Sequence, residues 1–276
     1  MFRNINYKEY ELYLDKKWFK LNFYDNEVPQ GLCVISNKVY ITCYKIDNTN
    51  SCVIELDMEG KRLRTIDLNN KSHVGGIGYD KKHNLVFICD SNGRISSYKY
   101  NSFEKVGSYN VAATEGSKLL ENGKLVCSYL TCYNDKIYVG SFNLKKNGIV
   151  KVYDVVREND GINIIYREEF LAPKKTQGLT FYEYENINYI IFSNSYGRKK
   201  NSNIEINKYI EGQSDYSKNN FKLLVPPMLE QIVVYDDSLL LLFESSAFKY
   251  KHSSKYVVDE LVSLDINDIF KQNKIL

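Results

Sequence analysis

The sequence has few prolines, histidines and tryptophans, and it has no long apolar run. It contains 4 Pro, 3 His and 1 Trp in 276 residues. The longest apolar segment, at 238–243 (SLLLLF), has the length of a strand and falls far short of the ~20 residues that a membrane helix needs. The first residues show no apolar core followed by a small-residue cleavage site, as a secretory signal would. We therefore expect no membrane association.

The six cysteines show no CxxC pair and no Cys/His spacing typical of a metal site. Most of them lie inside apolar, strand-like segments, where a cysteine behaves as a small buried hydrophobe. We expect reduced core thiols in a cytoplasmic protein; the alternative is a secreted protein whose signal peptide is missing from the sequence.

The charge pattern lacks a strongly basic face. The formal net charge is +3, and the 37 basic and 34 acidic residues are interleaved. Nucleic-acid-binding proteins usually concentrate Lys and Arg on one surface. The sequence therefore predicts neither nucleic acid nor membrane as a partner, and we expect a monomer.

Aromatic residues are abundant, with 24 Tyr and 13 Phe. Aromatic side chains favour strands because they fit a pleated, half-buried surface. The strand-like segments recur as five units whose first strands start near Gln30, Gly75, Tyr129, Gln177 and Glu230, roughly 45–55 residues apart. A four-stranded propeller blade occupies about 40–50 residues. The sequence therefore predicts a single all-β domain, a five-bladed β-propeller, with six blades as the alternative.

The predicted blades occupy residues 29–68, 74–111, 126–172, 176–226 and 229–266. The fifth unit has only three clear strands, while one orphan strand at 18–24 (WFKLNFY) precedes the first unit. A closed ring leaves no unprotected sheet edge. We therefore predict that residues 18–24 form the outer strand of the fifth blade. Short helices are predicted at 267–272 and near 117–121.

Candidate ligand-binding residues lie where first strands begin and second strands end, because these positions surround one mouth of a propeller channel. The set predicted to bind a small molecule or peptide at this mouth is Gln30, Tyr44, Asp90, Tyr129, Gln177, Ser195, Tyr196 and Arg198. For the glutamines, packing between blades is an alternative role.

Glu230 and Glu244 are the candidate catalytic residues, since both are expected to face this mouth. Two carboxyl groups in a partly dry channel can have their pKa values pushed apart, as an acid–base pair requires. His73 and Arg198 are expected to assist them. An Arg–Glu pair that merely ties blade four to blade five is the structural alternative. A divalent cation, Ca²⁺, held by Asp90, Glu230 and Glu244 is a further hypothesis.

The Gln-Gly-Leu starts at 30–32 and 177–179, the segment 73–77 (HVGGI) and the repeated apolar strands resemble the NHL and gluconolactonase-type (SMP-30-like) propellers over residues 29–266. In gluconolactonase-type enzymes, Glu, Asn and Asp hold a divalent metal near the axis. Residues 176–179 (TQGL) and 243–245 (FES) also resemble two elements of the plant-type glutaminyl cyclases, which are five-bladed. In that family both elements lie in one blade, whereas here they come from blades four and five.

Three functions follow as hypotheses. The first is a propeller that binds a small molecule or peptide at the channel mouth. The second is a hydrolase or a cyclase/lyase-type enzyme that uses the channel carboxylates. The third is a protein-interaction scaffold with a tyrosine-rich outer surface.

Overall fold

A computed structural model describes residues 7–112, 126–158, 161–218 and 221–275. Within these ranges the chain forms five four-stranded antiparallel sheets arranged in a ring. In each of the first four sheets the strands lie side by side in chain order, with the first strand nearest the axis of the ring. The prediction of a five-bladed β-propeller is confirmed.

The first three blades follow one another directly along the chain. Blade 1 contains β2 (Glu27–Ile35), β3 (Lys38–Lys45), β4 (Cys52–Asp57) and β5 (Arg62–Asp67). Blade 2 contains β6 (Ile77–Asp80), β7 (Leu85–Cys89), β8 (Arg94–Lys99) and β9 (Lys105–Asn110). Blade 3 contains β10 (Tyr129–Tyr133), β11 (Lys136–Gly140), β12 (Gly148–Glu158) and β13 (Gly161–Ala172).

The last two blades bring the chain back to its start. Blade 4 contains β14 (Thr176–Tyr184), β15 (Ile187–Asn194), β16 (Ser202–Lys208) and β17 (Phe221–Val225). Blade 5 contains β18 (Leu229–Tyr235), β19 (Ser238–Phe243), β20 (Glu260–Asp265) and, on the outside, β1 (Leu14–Lys20). Three short helices are α1 (Lys8–Tyr13), α2 (Phe248–Lys251) and α3 (Ile266–Asn273).

The N-terminal strand closes the ring, as predicted. Strand β1 pairs antiparallel with β20, and Trp18 Nε1 donates a 3.0 Å hydrogen bond to Ser263 Oγ. The strand spans Leu14–Lys20 and not residues 18–24, so it begins and ends four residues earlier than predicted, and its first half contains the exposed Lys16 and Lys17. The apolar run therefore predicted the length of the strand but not its position, because an exposed outer strand also contains polar residues.

Of the two predicted helices, the one at 267–272 is present as α3. Asp265 begins this helix, since its side chain accepts a hydrogen bond from the backbone N–H of Asp268. The segment near 117–121 lies outside the described residues. No helix in the described part of the chain is both long and apolar enough to cross a membrane.

One side chain crosses the axis of the ring and joins four blades. Gln231 Oε1 accepts hydrogen bonds from the backbone N–H groups of Leu32 and Ile77, each at 3.2 Å. Its Nε2 donates to the backbone oxygens of Ile77 at 2.9 Å and Leu130 at 3.1 Å. Gly178 makes room, because a Cβ there would lie 2.8 Å from Gln231 Cα. The amide of Gln231 thus fills the axis beneath the mouth and satisfies backbone groups that would otherwise be buried without partners.

Candidate functional site

The inner strands of three consecutive blades (4, 5 and 1) each contain an irregularity near their start. The register shifts between Pro29 and Gly31, between Thr176 and Gly178, and between Leu229 and Ile232. The residues within these shifts include Gln30, Gln177 and Glu230. A β-bulge turns a side chain away from the regular alternation and is common beside binding sites. The bulges therefore lie at equivalent positions of three neighbouring blades, and those that contain Gln30 and Glu230 lie beside Glu244.

Gln30 and Glu244 meet across the boundary between blades 1 and 5. Glu244 directly follows β19, and its Oε1 accepts a 2.9 Å hydrogen bond from Gln30 Nε2. The same Nε2 donates to the backbone oxygen of Pro29 at 2.7 Å, which fixes the orientation of the Gln30 amide. The structure therefore gives one of the two recurring glutamines a defined role, which is to orient a mouth carboxylate.

Glu230 is buried, with 6% of its surface exposed. Its backbone oxygen is held by Ser193 Oγ of blade 4 at 2.6 Å. Its carboxyl group, by contrast, accepts and donates no hydrogen bond within the described ranges. A buried carboxyl group without partners is costly unless it is neutral or a ligand supplies the missing bonds. A ligand that binds at this mouth would therefore gain most from a hydrogen bond to the Glu230 carboxyl group.

The two carboxyl groups titrate as an interacting pair. Burial, with added repulsion from Glu244, raises the pKa of Glu230 well above its usual range. Burial also raises the pKa of Glu244 to about 7, although the hydrogen bond from Gln30 and the charges of Lys249 and Arg198 act in the opposite direction. Glu230 therefore keeps its proton to a higher pH than an exposed glutamate does, while Glu244 changes its charge near neutral pH. The pair thus holds a proton donor and a proton acceptor side by side.

Helix α2, in the connection between β19 and β20, brings a cation and a phenol over the mouth. Lys249 Nζ donates a 2.9 Å hydrogen bond to Tyr44 Oη of blade 1. Tyr44 Oη lies 3.1 Å from Tyr250 Oη, and the Tyr250 hydroxyl in turn interacts with Glu244 and lowers its pKa. If each hydroxyl donates to the next group, a continuous hydrogen-bonded chain runs from Lys249 to Glu244. Such a chain can fix the protonation state of a carboxylate.

His73 and Arg198 lie at the rim of the same cluster. The His73 ring stacks on Tyr44 with centroids 4.7 Å apart, and desolvation on that side, together with the Lys249 charge, lowers the pKa of the imidazole. The Arg198 guanidinium lies 4.8 Å from the centre of the Tyr250 ring and donates to Ser253 Oγ at 3.2 Å. No ion pair joins Arg198 to a glutamate among the described residues. The positive charge of Arg198 therefore lowers the pKa of Glu244 without a direct contact, while its guanidinium packs against the ring of Tyr250.

The remaining predicted residues are placed elsewhere or engaged locally. Tyr129 is fully buried in the core between blades 3 and 4, and its ring covers Gly140, so it does not reach the glutamate pair. The Asp90 carboxylate accepts from Ser91 N and Ser96 Oγ, each at 2.7 Å, and so caps its own turn.

Three further residues complete the predicted set. Gln177 is half-buried, and its side chain makes no hydrogen bond within the described ranges. Ser195 Oγ accepts a 2.9 Å hydrogen bond from Ser202 Oγ. Tyr196 is exposed and lines a separate cavity between blades 3 and 4.

The calcium hypothesis finds no coordination site in the described part of the chain. No group of three or more His, Cys, Asp or Glu side chains is arranged there to hold a metal ion. Asp90 is committed to its turn and its neighbour Lys105, at 3.5 Å, and does not join Glu230 and Glu244.

Sequence reasoning missed Gln231, Lys249 and Tyr250. Gln231 directly follows Glu230 and reads as part of the same strand, so nothing local marks it as the residue that crosses the axis. Lys249 and Tyr250 lie in residues 244–259, an unusually long connection between the second and third strands of a blade. Long loops at a channel mouth are often functional, and this length was the available signal.

Comparison with known proteins supports the β-propeller fold but does not indicate a function. No protein-family profile matches the chain, and no curated protein sequence matches it. Among solved structures, the glutaminyl cyclase of Myxococcus xanthus superposes with a TM-score of 0.55 and 9% identity, over 91% of this chain and 94% of that one. The WD40 repeats of RRP9 superpose with a TM-score of 0.48 and 11% identity, over 82% and 76%.

The superposition on the glutaminyl cyclase structure agrees with the β-propeller fold described above. None of the comparisons supports the NHL or gluconolactonase-type group specifically. At identities this low, the likeness concerns the fold alone.

Proposed function

We propose that the mouth over blades 4, 5 and 1 binds a small molecule or peptide that carries an amino group, and that Glu230 and Glu244 transfer protons to and from it. The observation that carries the proposal is Glu230, which is buried and unpaired beside a second carboxyl group whose orientation Gln30 fixes. An amine or amide that enters this mouth supplies the hydrogen bonds that the Glu230 carboxyl group lacks.

The reaction class that fits this pair is the attack of an amine on an amide. Ionised Glu244 accepts a proton from the amine as its nitrogen bonds to the amide carbon. Protonated Glu230 donates a proton to the nitrogen that leaves as ammonia or an amine when the old C–N bond breaks. The two groups then exchange one proton and return to their starting states. The raised pKa of Glu230 favours its role as proton donor, and the pKa of about 7 of Glu244 lets this group accept a proton near neutral pH.

A peptide with N-terminal glutamine is the first substrate to test, because it carries both the amine and the amide, and because the fold resembles that of a glutaminyl cyclase. Cyclisation would release ammonia and a pyroglutamyl peptide, which mass spectrometry and an ammonia assay both detect. We expect product with the unaltered protein and a loss of at least 100-fold with Glu230→Gln or Glu244→Gln, within the range that acid–base catalysis supplies.

The matched control is Glu205→Gln, which removes a carboxylate that pairs with Lys222 at 3.1 Å, away from Glu230 and Glu244. It should retain activity. An unaltered protein that turns over neither glutaminyl peptides nor other amino-terminal amides would overturn the proposed catalysis.

Binding without turnover is the second candidate. It is favoured by the tyrosine hydroxyls beside Glu244, those of Tyr44 and Tyr250, which can hold a ligand without taking part in proton transfer. Calorimetry with a free-amine peptide and its N-acetylated counterpart tests it directly. Selective binding of the free amine with no product would establish a binding module, whereas equal affinity for both peptides would contradict recognition by the glutamate pair.

A further inference from the structure

A second cavity, separate from the glutamate pair, lies between blades 3 and 4. Its volume is about 760 Å³, and six lysines are among the residues that line it: Lys145, Lys174, Lys175, Lys200, Lys218 and Lys222. Glu205 is the acidic residue of the lining, and Lys222 pairs with it at 3.1 Å. The other five lysines have no ion-pair partner among the described residues. The cavity therefore carries a concentrated, uncompensated positive charge, although the chain as a whole is only weakly basic.

Backbone hydrogen bonds hold the loops of this cavity in place. Lys175 N donates to Asn143 O, and Ser195 N donates to Lys175 O, both at 2.9 Å. The Asn143 side chain also accepts from the backbone N–H groups of Lys145 and Lys146, at 3.1 and 2.9 Å. Three loops from two blades are thus tied together. Lysines mounted on such loops are brought to one place without the full cost of ordering separate flexible segments.

Asn194 supplies a neutral donor on the wall of the cavity. This residue is 3% exposed, and its Oδ1 accepts a 2.8 Å hydrogen bond from Thr176 Oγ1. Its Nδ2 is buried and has no hydrogen-bond partner within the described ranges. A buried amide donor without a partner is uncommon in a folded protein and calls for an explanation. An acceptor atom of a bound ligand would supply the missing bond.

We propose that this cavity binds a small, multiply charged phosphate compound, with the lysines neutralising its charge and Asn194 donating to a phosphate oxygen. The volume lies within the range of small-molecule sites. Lysine ammonium groups bind phosphate as point charges, and several of them around one cavity favour a ligand with more than one negative charge. The site does not depend on the chemistry proposed for Glu230.

Inorganic pyrophosphate is the probe, because it carries the charge without any further recognition element. Isothermal titration with the full chain at low salt is expected to show one site. The double variant Lys175→Gln/Lys200→Gln should weaken binding at least tenfold. Asn194→Asp, which replaces the donor by a carboxylate of the same shape, should weaken it as well. Thermal melts of both variants without ligand show whether the fold is retained.

The matched control is Lys99→Gln/Lys105→Gln, which removes the same charge from a different cavity, where both lysines have acidic partners, Glu104 and Asp90. It should change the affinity less than twofold. Equal weakening by this control would mean non-specific attraction and would overturn the proposal. So would an unaltered protein that does not bind pyrophosphate at low salt. A loss of binding in Arg198→Gln/Lys249→Gln, with Lys175→Gln/Lys200→Gln unaffected, would place the anion at the other mouth and overturn it too.

Discussion

Gln30 Nε2 donates a 2.9 Å hydrogen bond to Glu244 Oε1, although 214 positions separate the two residues. The bond joins the first and last blades of the ring and orients one of two neighbouring carboxyl groups. The other carboxyl group, that of Glu230, is left without a partner in the described part of the chain. One glutamate is thus held by the protein and the other is available to a ligand, and most of the expectations below depend on this difference.

Glu230→Gln is expected to raise the melting temperature at pH 8 by several degrees, at roughly 2–4 °C per kcal/mol for a domain of this size. Burial raises the pKa of Glu230 in the folded state above its unfolded value of 4.5. Above pH 4.5 the unfolded chain loses this proton while the folded chain keeps it, so stability falls as pH rises. Glutamine cannot ionise and removes that loss. At pH 4 the variant should melt like the unaltered protein.

Glu27→Gln is the control for this measurement. Glu27 is also fully buried, but it accepts hydrogen bonds from Arg62 Nη1 and Nη2 at 3.0 and 2.7 Å. Its neutralisation leaves a guanidinium without its partner and should cost about 3–5 kcal/mol. If Glu230→Gln lowered the melting temperature at pH 8 as Glu27→Gln does, Glu230 would be a structural carboxylate.

Turnover of an N-terminal glutamine peptide is expected to rise as pH increases through about 7, because Glu244 must be ionised to accept a proton. Gln30→Ala should move the midpoint to higher pH, since the hydrogen bond from Gln30 lowers the pKa of Glu244. Gln177→Ala, at the corresponding bulge of blade 4, should leave the midpoint in place. A midpoint that does not respond to Gln30→Ala would assign the titration to another group.

Gln231→Ala is expected to destabilise the protein by about 3–4 kcal/mol, at roughly 1 kcal/mol for each of its four hydrogen bonds. The bonds end on buried backbone groups of three other blades, which alanine would leave unpaired. Urea unfolding measures the change. The matched variant Gln177→Ala removes a glutamine that makes no hydrogen bond within the described ranges, and it should cost less than about 0.5 kcal/mol. Equal costs would exclude a special role for the axial amide.

Deletion of residues 1–20 is expected to yield aggregated protein, because it removes β1 and exposes the edge of β20. The deletion also removes Trp18, which donates to Ser263 across the two strands. Lys20→Ala is the comparison, since it keeps the backbone pairing of the strand and removes only an exposed side chain. Size-exclusion chromatography distinguishes the outcomes. A monomeric, cooperatively folding deletion variant would show that β1 is dispensable for closure.

The sequence by itself determined the architecture. Strand alternation and turn residues are local properties, and their fivefold recurrence favoured five blades over six and predicted closure by an N-terminal strand. The position of this N-terminal strand was predicted less well, since β1 begins at Leu14 and not at residue 18. The repeat also predicts which chain positions lie near the mouth, and Gln30, Glu230 and Glu244 are among them.

Only the tertiary structure decided how those residues meet and which others join them. The bulges at Gln30, Gln177 and Glu230 depend on how each inner strand pairs with its neighbour, which no single strand specifies. Tyr44 and Tyr250 lie 206 positions apart and become neighbours because closing the ring places blade 5 beside blade 1. Gln231 crosses the axis for the same reason, since its partners belong to three other blades. Local periodicity determines the blades, whereas contacts between blades depend on the geometry of the closed ring.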